Sequence, residues 1–356
     1  MESKYRVIGI MSGTSLDGLD IAYCEFTKDK KWAYKIVHAE TKKYDGKWKS
    51  ALRIAFKKKK KELDHFDIEY GKFIGREVQR FIKQHDVHPD FIASHGHTIF
   101  HQPEKGITLQ IGNGASIASA CKLPVVSDFR AGDVALGGQG APLVPVADKL
   151  LFSEYDFCLN LGGFANVSYE KKARRLAFDI CPVNIVLNEL AGKLGMEYDK
   201  GGKEASRGAI NGKLLNRLNA LAFYSASPPK SLGREWVEND FMPVLNSFDI
   251  SPQDKLRTIV EHCALQIAAV IDSSGVSHHV SVLITGGGAY NDFLIRQISV
   301  HCKAKIILPG DKTIQFKEAM AFAFLGVLKM RGEISILKSV TGAKRDSSGG
   351  EVNYPG

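Results

Sequence analysis

A chain of 356 residues is long for one ordinary domain and suits two of typical size. Its 44% apolar and 24% charged content belongs to a globular protein, and no apolar run reaches the ~20 residues of a membrane-spanning helix. The net charge of +9 draws on one run, Lys57–Lys61, which reads as a solvated loop or helix start rather than a nucleic-acid patch.

In chain order, Tyr5–Met11 reads as a strand, SGTSLDG as a turn and Leu19–Phe26 as its hairpin partner, because Asp17-Gly18 is a strong turn signal. A strand near Ala33–His38 follows. Ile68, Phe73, Ile74, Val78, Phe81 and Ile82 then recur at helical spacing. Short strands are expected at Phe91–Ser94, Thr108–Ile111 and Pro124–Asp128, with a helix over Ala115–Cys121. The aperiodic stretch AGDVALGGQGAP, residues 131–142, is the candidate domain boundary. Beyond it come a helix near Leu143–Leu151 and a second strand–turn–strand, Phe157–Leu161, GGF and Ala165–Tyr169, which echoes the first and points to a duplicated unit. A strand Leu176–Phe178 ending at Asp179, a helix from Pro182 through Leu194, and a helix from Pro252 to about Ile271 continue the order. Then follow the strand Val282–Thr285, the turn GGG, a helix Asp292–Cys302, a strand Lys305–Leu308 and a helix Lys317–Met330. The tail SSGGEVNYPG reads as mobile. Alternating strands and helices with a hairpin opening each half predict α/β domains with mixed sheets covered by helices.

Cys24, Cys121, Cys158, Cys181, Cys263 and Cys302 are scattered with no C-x-x-C pair, the pattern of reduced thiols, and the opening residues lack a leader-like apolar stretch. A cytoplasmic protein is expected.

Three glycine turns each follow an apolar strand: Gly13 to Gly18, Gly162-Gly163 and Gly286-Gly287-Gly288. Glycine lets a phosphate chain approach the backbone, although none of the three is a Walker loop or a G-x-G-x-x-G. Asp17 suits either an Asp-Gly turn or magnesium held through water, and Asp20 either joins it or faces solvent. His95 and His97 alternate on one strand face and could suit zinc with His101, but a polar ligand-binding loop at a strand end is the better reading. Asp179 after its strand is either a helix N-cap or a carboxylate at a sheet's chemical edge. Cys181 has no instructive histidine partner. Asp128 and Arg130 read as a sugar-binding pair or a salt bridge.

Ten segments, in order over nearly the whole chain, resemble anhydro-N-acetylmuramic acid kinase: MSGTSLDGLD, SHGHT, QIGNG, DFRAGDVALGGQGAPLVP, LNLGGFANVS, FDICPVN, PKSLGRE, TGGGAYN, EAMAFAFL and VTGA. The resemblance implies two ribonuclease-H-like domains of the actin/hexokinase type with ATP in the cleft between them: residues 1–130 plus 316–345, and residues 131–315. It assigns ATP to Gly13, Thr14, Ser15, Leu16, Asp17, Gly18, Leu19, Asp20, Gly162, Gly163, Gly286, Gly287 and Gly288, with Mg²⁺ on Asp17 through water. It assigns the amino-sugar substrate to His95, Gly96, His97, Thr98, Asn113, Asp128, Arg130, Asn184 and Glu318, and the role of catalytic base to Asp179. No nucleic-acid or membrane partner is implied; a homodimer is allowed. The sequence departs from the family at CPVN (residues 181–184) for GPGN, SHGHT for SHGQT, and QIGNG for QIGNP. The implied reaction opens 1,6-anhydro-N-acetylmuramic acid with water and phosphorylates O6. The alternatives are an ordinary kinase of a related amino sugar, or an inactive sugar- or nucleotide-binding homologue.

Overall fold

A computed structural model describes residues 3–13, 16–275 and 280–356. The chain divides into two compact units, Met1–Leu151 with Phe316–Gly356, and Phe152–Gln315.

In unit 1, strands β1 (Ser3–Ser12), β2 (Gly18–Lys28) and β3 (Trp32–Lys43) form an antiparallel meander, as the Asp17-Gly18 signal predicts. β4 (Phe91–Gln102) lies parallel to β1, and β6 (Val125–Ser127) parallel to β4, giving the order β3-β2-β1-β4-β6. β5 (Ile107–Ile111) returns antiparallel on the outer half of β4.

Unit 2 repeats the plan. β7 (Phe157–Leu161), β8 (Phe164–Lys171) and β9 (Arg174–Pro182) form the meander; β10 (Ser281–Thr285) and β11 (Lys305–Ile307) add in parallel, in the order β9-β8-β7-β10-β11. The ribonuclease-H-like strand order thus occurs twice, and the echo between the two hairpins has its structural reason.

Helices cover these sheets. α1 (Lys60–His85) buries Leu63, Phe66, Tyr70, Phe73, Ile74, Val78 and Phe81 along one stripe against Ile8, Ile10 and Ile21 of the sheet. Its start is tied by the Glu62 carboxylate, which accepts the Lys59 amide at 2.8 Å, so the lysine run is a helix start. α2 (Gly114–Cys121) and α3 (Pro145–Leu151) also belong to unit 1. In unit 2, α4 (Asn184–Gly192), α5 (Pro252–Asp272) and α6 (Asp292–His301) enclose a core that includes Leu187, Ile259, Ile267 and Ile298. Ser251 caps α5 by accepting the Asp254 amide at 3.0 Å, with Pro252 in the first turn.

α7 (Asp311–Met330) starts in unit 2, breaks at Phe316 (φ −114°, ψ 17°) and continues in unit 1. There it crosses β1 so closely that a Cβ on Gly9 would fall 1.9 Å from the Ala319 carbonyl oxygen. Small residues on both sides set that approach and fix where Glu318 stands.

Two features differ from the sequence reading. The glycine-rich stretch 131–142 is a short helix, Ala131–Ala135, followed by a packed loop of unit 1, and the chain crosses to unit 2 at Leu151/Phe152. Buried Asp133 explains the packing: it accepts the Gly140 amide at 2.7 Å and the Thr341 hydroxyl at 2.8 Å. The tail is also ordered. Glu351–Asn353 forms β12 beside β6, and Gly349 and Gly350 allow the chain to close against Phe129.

Candidate active site

In unit 2 the polar side chains follow from strand register. Thr285, Asn160, Asn166 and Asp179 pair in turn across β10, β7, β8 and β9. Paired residues share a sheet face, and neighbouring strands lie about 4.8 Å apart, so these four side chains form one row across the sheet. Thr285 is fully buried, and its hydroxyl has no hydrogen bond among the described residues. Asn160 and Asn166 escaped the sequence reading; the available signal was an asparagine inside each apolar strand, in LNL and ANV.

Asp179 lies within β9, which runs on to Pro182, and α4 begins only at Asn184. Asp179 is therefore not a cap of that helix. An irregularity in the pairing (Asn166 with Asp179, then Ala165 with Cys181) leaves Ile180 as the extra residue, and such a bulge re-aims its neighbours. The half-buried Asp179 carboxylate accepts the Leu232 amide at 2.8 Å, and its own amide donates to the Lys230 carbonyl at 3.1 Å. Desolvation raises its pKa above the ordinary carboxylate value, with the Leu232 amide opposing.

The altered turn after Asp179 keeps its connection to the glycine turn. Asn184 donates its side-chain amide to the Leu161 carbonyl at 3.2 Å and its backbone amide to Gly162 at 3.3 Å, while Val183 donates to Gly163 at 2.8 Å. Cys181 and Val183 are fully buried in the core.

The glycines divide by what surrounds them. A Cβ at Gly286 or Gly288 would strike Asn160 or Leu161 at 2.6 Å, so these two are needed for packing. A Cβ at Gly163 would meet nothing closer than 3.9 Å, and at Gly287 nothing closer than 3.7 Å, with both residues exposed. Their bare backbones border open space, which fits a phosphate chain.

In unit 1 the substitution-bearing SHGHT segment holds the second cluster. β4 carries two residues, His95 and Gly96, against the single Met11 of β1, and Gly96 adopts φ 72°. This bulge turns His95 and His97 to opposite faces. His95 packs on Phe322 of α7 at 4.5 Å, and His97 meets Tyr70 of α1 edge-on at 6.4 Å. The expected pair of imidazoles on one strand face is thereby corrected. Among the described residues no group of three or more His, Cys, Asp or Glu is arranged to ligate a metal.

Arg130 Nε donates to His95 Nε2 at 2.9 Å and Nη1 donates to the Gly140 carbonyl at 2.9 Å, so Arg130 is aimed at His95 and not at Asp128. Burial lowers the Arg130 guanidinium to about 10, against the pull of Glu318, which leaves it charged near neutrality. Burial, then Arg130, hold His95 well below the ordinary imidazole value, so it is neutral and its Nδ1 donates to the Gly96 carbonyl at 3.1 Å. His97 is lowered by burial to about 4 and heads a chain through Ser12 (2.8 Å) and Tyr44 (2.7 Å) to Tyr70 (2.5 Å).

Asp20 accepts the Thr41 hydroxyl at 2.6 Å and is raised to about 6 by desolvation, with Glu318 and Asp17 adding repulsion. Glu318 reaches solvent, yet the surrounding protein desolvates its carboxyl and raises it, against Arg130 and Lys317. Asp17, Asp20 and Glu318 thus form a local excess of negative charge, which fits a hydrated divalent cation held through water.

The other candidates have local duties. Asn113 caps α2 by accepting the Ser116 amide at 2.9 Å, and donates to Asp67 at 3.2 Å. Asp128, exposed with φ 52°, accepts the Ala131 amide at 3.3 Å. Thr98 is half-buried opposite Gln110. Leu19 is fully buried in the core, and Gly18 is packed against the Lys42 carbonyl. The Gly13 carbonyl accepts the Leu16 amide at 3.3 Å, and Leu16 takes φ 61°. Thr14 and Ser15 lie outside the described residues.

Duplicated ribonuclease-H-like sheets with glycine turns at the ends of their parallel strands define an actin-like α/β protein. The model of the family "Anhydro-N-acetylmuramic acid kinase" matches residues 5–355. Proteins of that name from Francisella tularensis subsp. novicida (33% identical; 99% of each chain covered), Roseobacter denitrificans (34%; 98% of this chain, 94% of the relative) and Vibrio vulnificus (33%; 100% of both) are similar along their whole length. The chain belongs to the anhydro-N-acetylmuramic acid kinase family.

Proposed function

We propose that this kinase opens the internal ether of 1,6-anhydro-N-acetylmuramic acid with water and phosphorylates the released O6, giving N-acetylmuramic acid 6-phosphate and ADP, with Asp179 as general base. The observation that carries the reading is the carboxylate itself: held by one amide, desolvated, raised in pKa and set beside Asn166. A base needs a pKa lifted toward the working pH and an oxygen with spare lone pairs.

Asp179 removes a proton from the water that attacks the anomeric carbon, and Asn166 and Asn160 offer polar partners along the same row. In unit 2, Gly163 and Gly287 give bare backbone to phosphate, and Asn184 holds the first glycine turn. In unit 1, Arg130 offers Nη2, which has no hydrogen bond among the described residues, as a cation for the acidic sugar's carboxylate. Glu318 accepts a sugar hydroxyl. Asp17, with Asp20, holds magnesium through water. When bound, MgATP supplies the transferred phosphoryl group and neutralises its charge. The six free thiols suit a reducing cytoplasm, and no helix among the described residues is long and apolar enough to cross a membrane.

The altered CPVN turn still brings Asn184 onto Leu161 and Gly162, which favours an active enzyme over a silent homologue. An ADP-release assay tests this. Release is expected with the anhydro-sugar and MgATP together and at background without sugar; equal release in both arms, or none in either, contradicts the proposal.

A further inference from the structure

We propose that Tyr224 and His262 are positioning residues for Asp179, holding the 230–232 segment that grips it through a buried chain of hydrogen bonds. The inference rests on the reading of Asp179 as the base.

The segment touches Asp179 twice, through the Lys230 carbonyl and the Leu232 amide. Its own anchor is Lys230, whose ammonium donates to the Phe223 carbonyl at 3.0 Å and the Tyr224 carbonyl at 3.5 Å, and sits 4.5 Å over the Phe223 ring. Tyr224 is fixed in turn. Its hydroxyl lies 2.7 Å from His262 Nε2, and its ring meets the imidazole edge-on at 4.9 Å. His262 Nδ1 is 2.6 Å from Asn219 Oδ1, which also accepts from Gln266 Nε2 at 2.9 Å. Since that oxygen accepts, Nδ1 carries the proton and Nε2 accepts from Tyr224.

His262 is fully buried on α5, where an apolar residue would cost less to bury. Its bonds run to Asn219 and to Tyr224, and through Tyr224 to the segment at Asp179. The next residue of α5 reinforces the same point: the Cys263 thiol donates to the Pro182 carbonyl at 3.3 Å, at the end of β9. α5 thus braces both the strand that carries Asp179 and the segment that clasps it. The ionisable groups around the clasp are Cys181 from β9, Cys263 and His262 from α5, Tyr224, and Lys230 from the segment itself. Burial keeps His262 at about 3, so the chain stays in one protonation state over the working range.

Tyr224→Phe removes the hydroxyl and keeps the ring. A slackened clasp lowers kcat about 10- to 100-fold, the scale of a small misplacement at a reacting centre, with the KM for ATP unchanged. Loss of the Leu232 amide destabilises the Asp179 carboxylate, so the acid limb of the kcat–pH profile moves up by about one unit. His262→Gln is expected to move the limb in the same direction and serves if the first variant is poorly folded. A variant with a lowered melting temperature but wild-type kcat and acid limb overturns the positioning role. Asp179→Asn, measured alongside, separates the two ideas. Retained turnover in it overturns the base assignment and this inference together, whereas an inactive Asp179→Asn beside an unshifted Tyr224→Phe profile overturns the inference alone.

Discussion

Asp179→Asn is expected to cut ADP release by about 10²–10⁴-fold, the range supplied by a general base, while ATP binds as before. The substitution preserves shape and can still accept the Leu232 amide, so the clasp survives and only basicity is lost. The pH profile of the unaltered enzyme carries the same signature. Desolvation raises the Asp179 carboxyl above its ordinary value of 3.8, and the base works only when deprotonated. Turnover therefore rises with pH through a limb displaced upward from that of an ordinary aspartate. Asp20, raised to about 6, titrates nearby in the profile, and Asp20→Asn distinguishes the two because it leaves the Asp179 limb in place. Steady-state ADP release with a nucleotide-binding titration checks the prediction; an Asp179→Asn enzyme with weakened ATP binding and intact turnover at saturation would place the residue elsewhere in the reaction.

The second large effect concerns stability. Lys317 and Asp148 form an ion pair at 2.8 Å with side chains only 7% and 5% exposed. Asp148 sits on α3 just before the chain leaves unit 1, and Lys317 on α7 just after it returns, so the pair ties the two connecting segments inside unit 1. Lys317→Met strips a buried carboxylate of this cation, and breaking such a pair costs about 3–5 kcal/mol. The denaturant midpoint of unit 1 should fall accordingly. The double variant Asp148→Asn/Lys317→Met should regain part of the loss, since a neutral amide then replaces the buried carboxylate. Equal stability of the single variant and the parent would show that the pair contributes nothing net.

What the sequence made legible was local. Hairpins announced by Asp17-Gly18 and Gly162-Gly163, and the helical spacing of Phe73, Ile74, Val78 and Phe81, rest on turn chemistry and periodicity that a few neighbouring residues carry, whereas Ile68 of the same expected stripe is exposed. The echo between the two hairpins became the same five-strand order in both units. What stayed hidden depended on pairing between distant segments. The bulge at Gly96 is defined by its mismatch with Met11, so alternation alone placed His95 and His97 on one face. The row Asn160–Asn166–Asp179 exists only once three strands are in register. The 131–142 stretch reads locally as a domain boundary because its order comes from Asp133 and Thr341, which are 208 residues apart. Asp179 as a helix cap was a reasonable local reading, and the two further strand residues before Pro182 removed it.

In the proposed reaction water attacks carbon while the sugar's own oxygen takes the phosphoryl group. Turnover of the anhydro-sugar in ¹⁸O-enriched water, followed by mass analysis of the product, tests that step directly. The proposed reaction places heavy oxygen at the anomeric carbon and none in the phosphate. Heavy oxygen in the phosphate, with the anomeric position unlabelled, would contradict it.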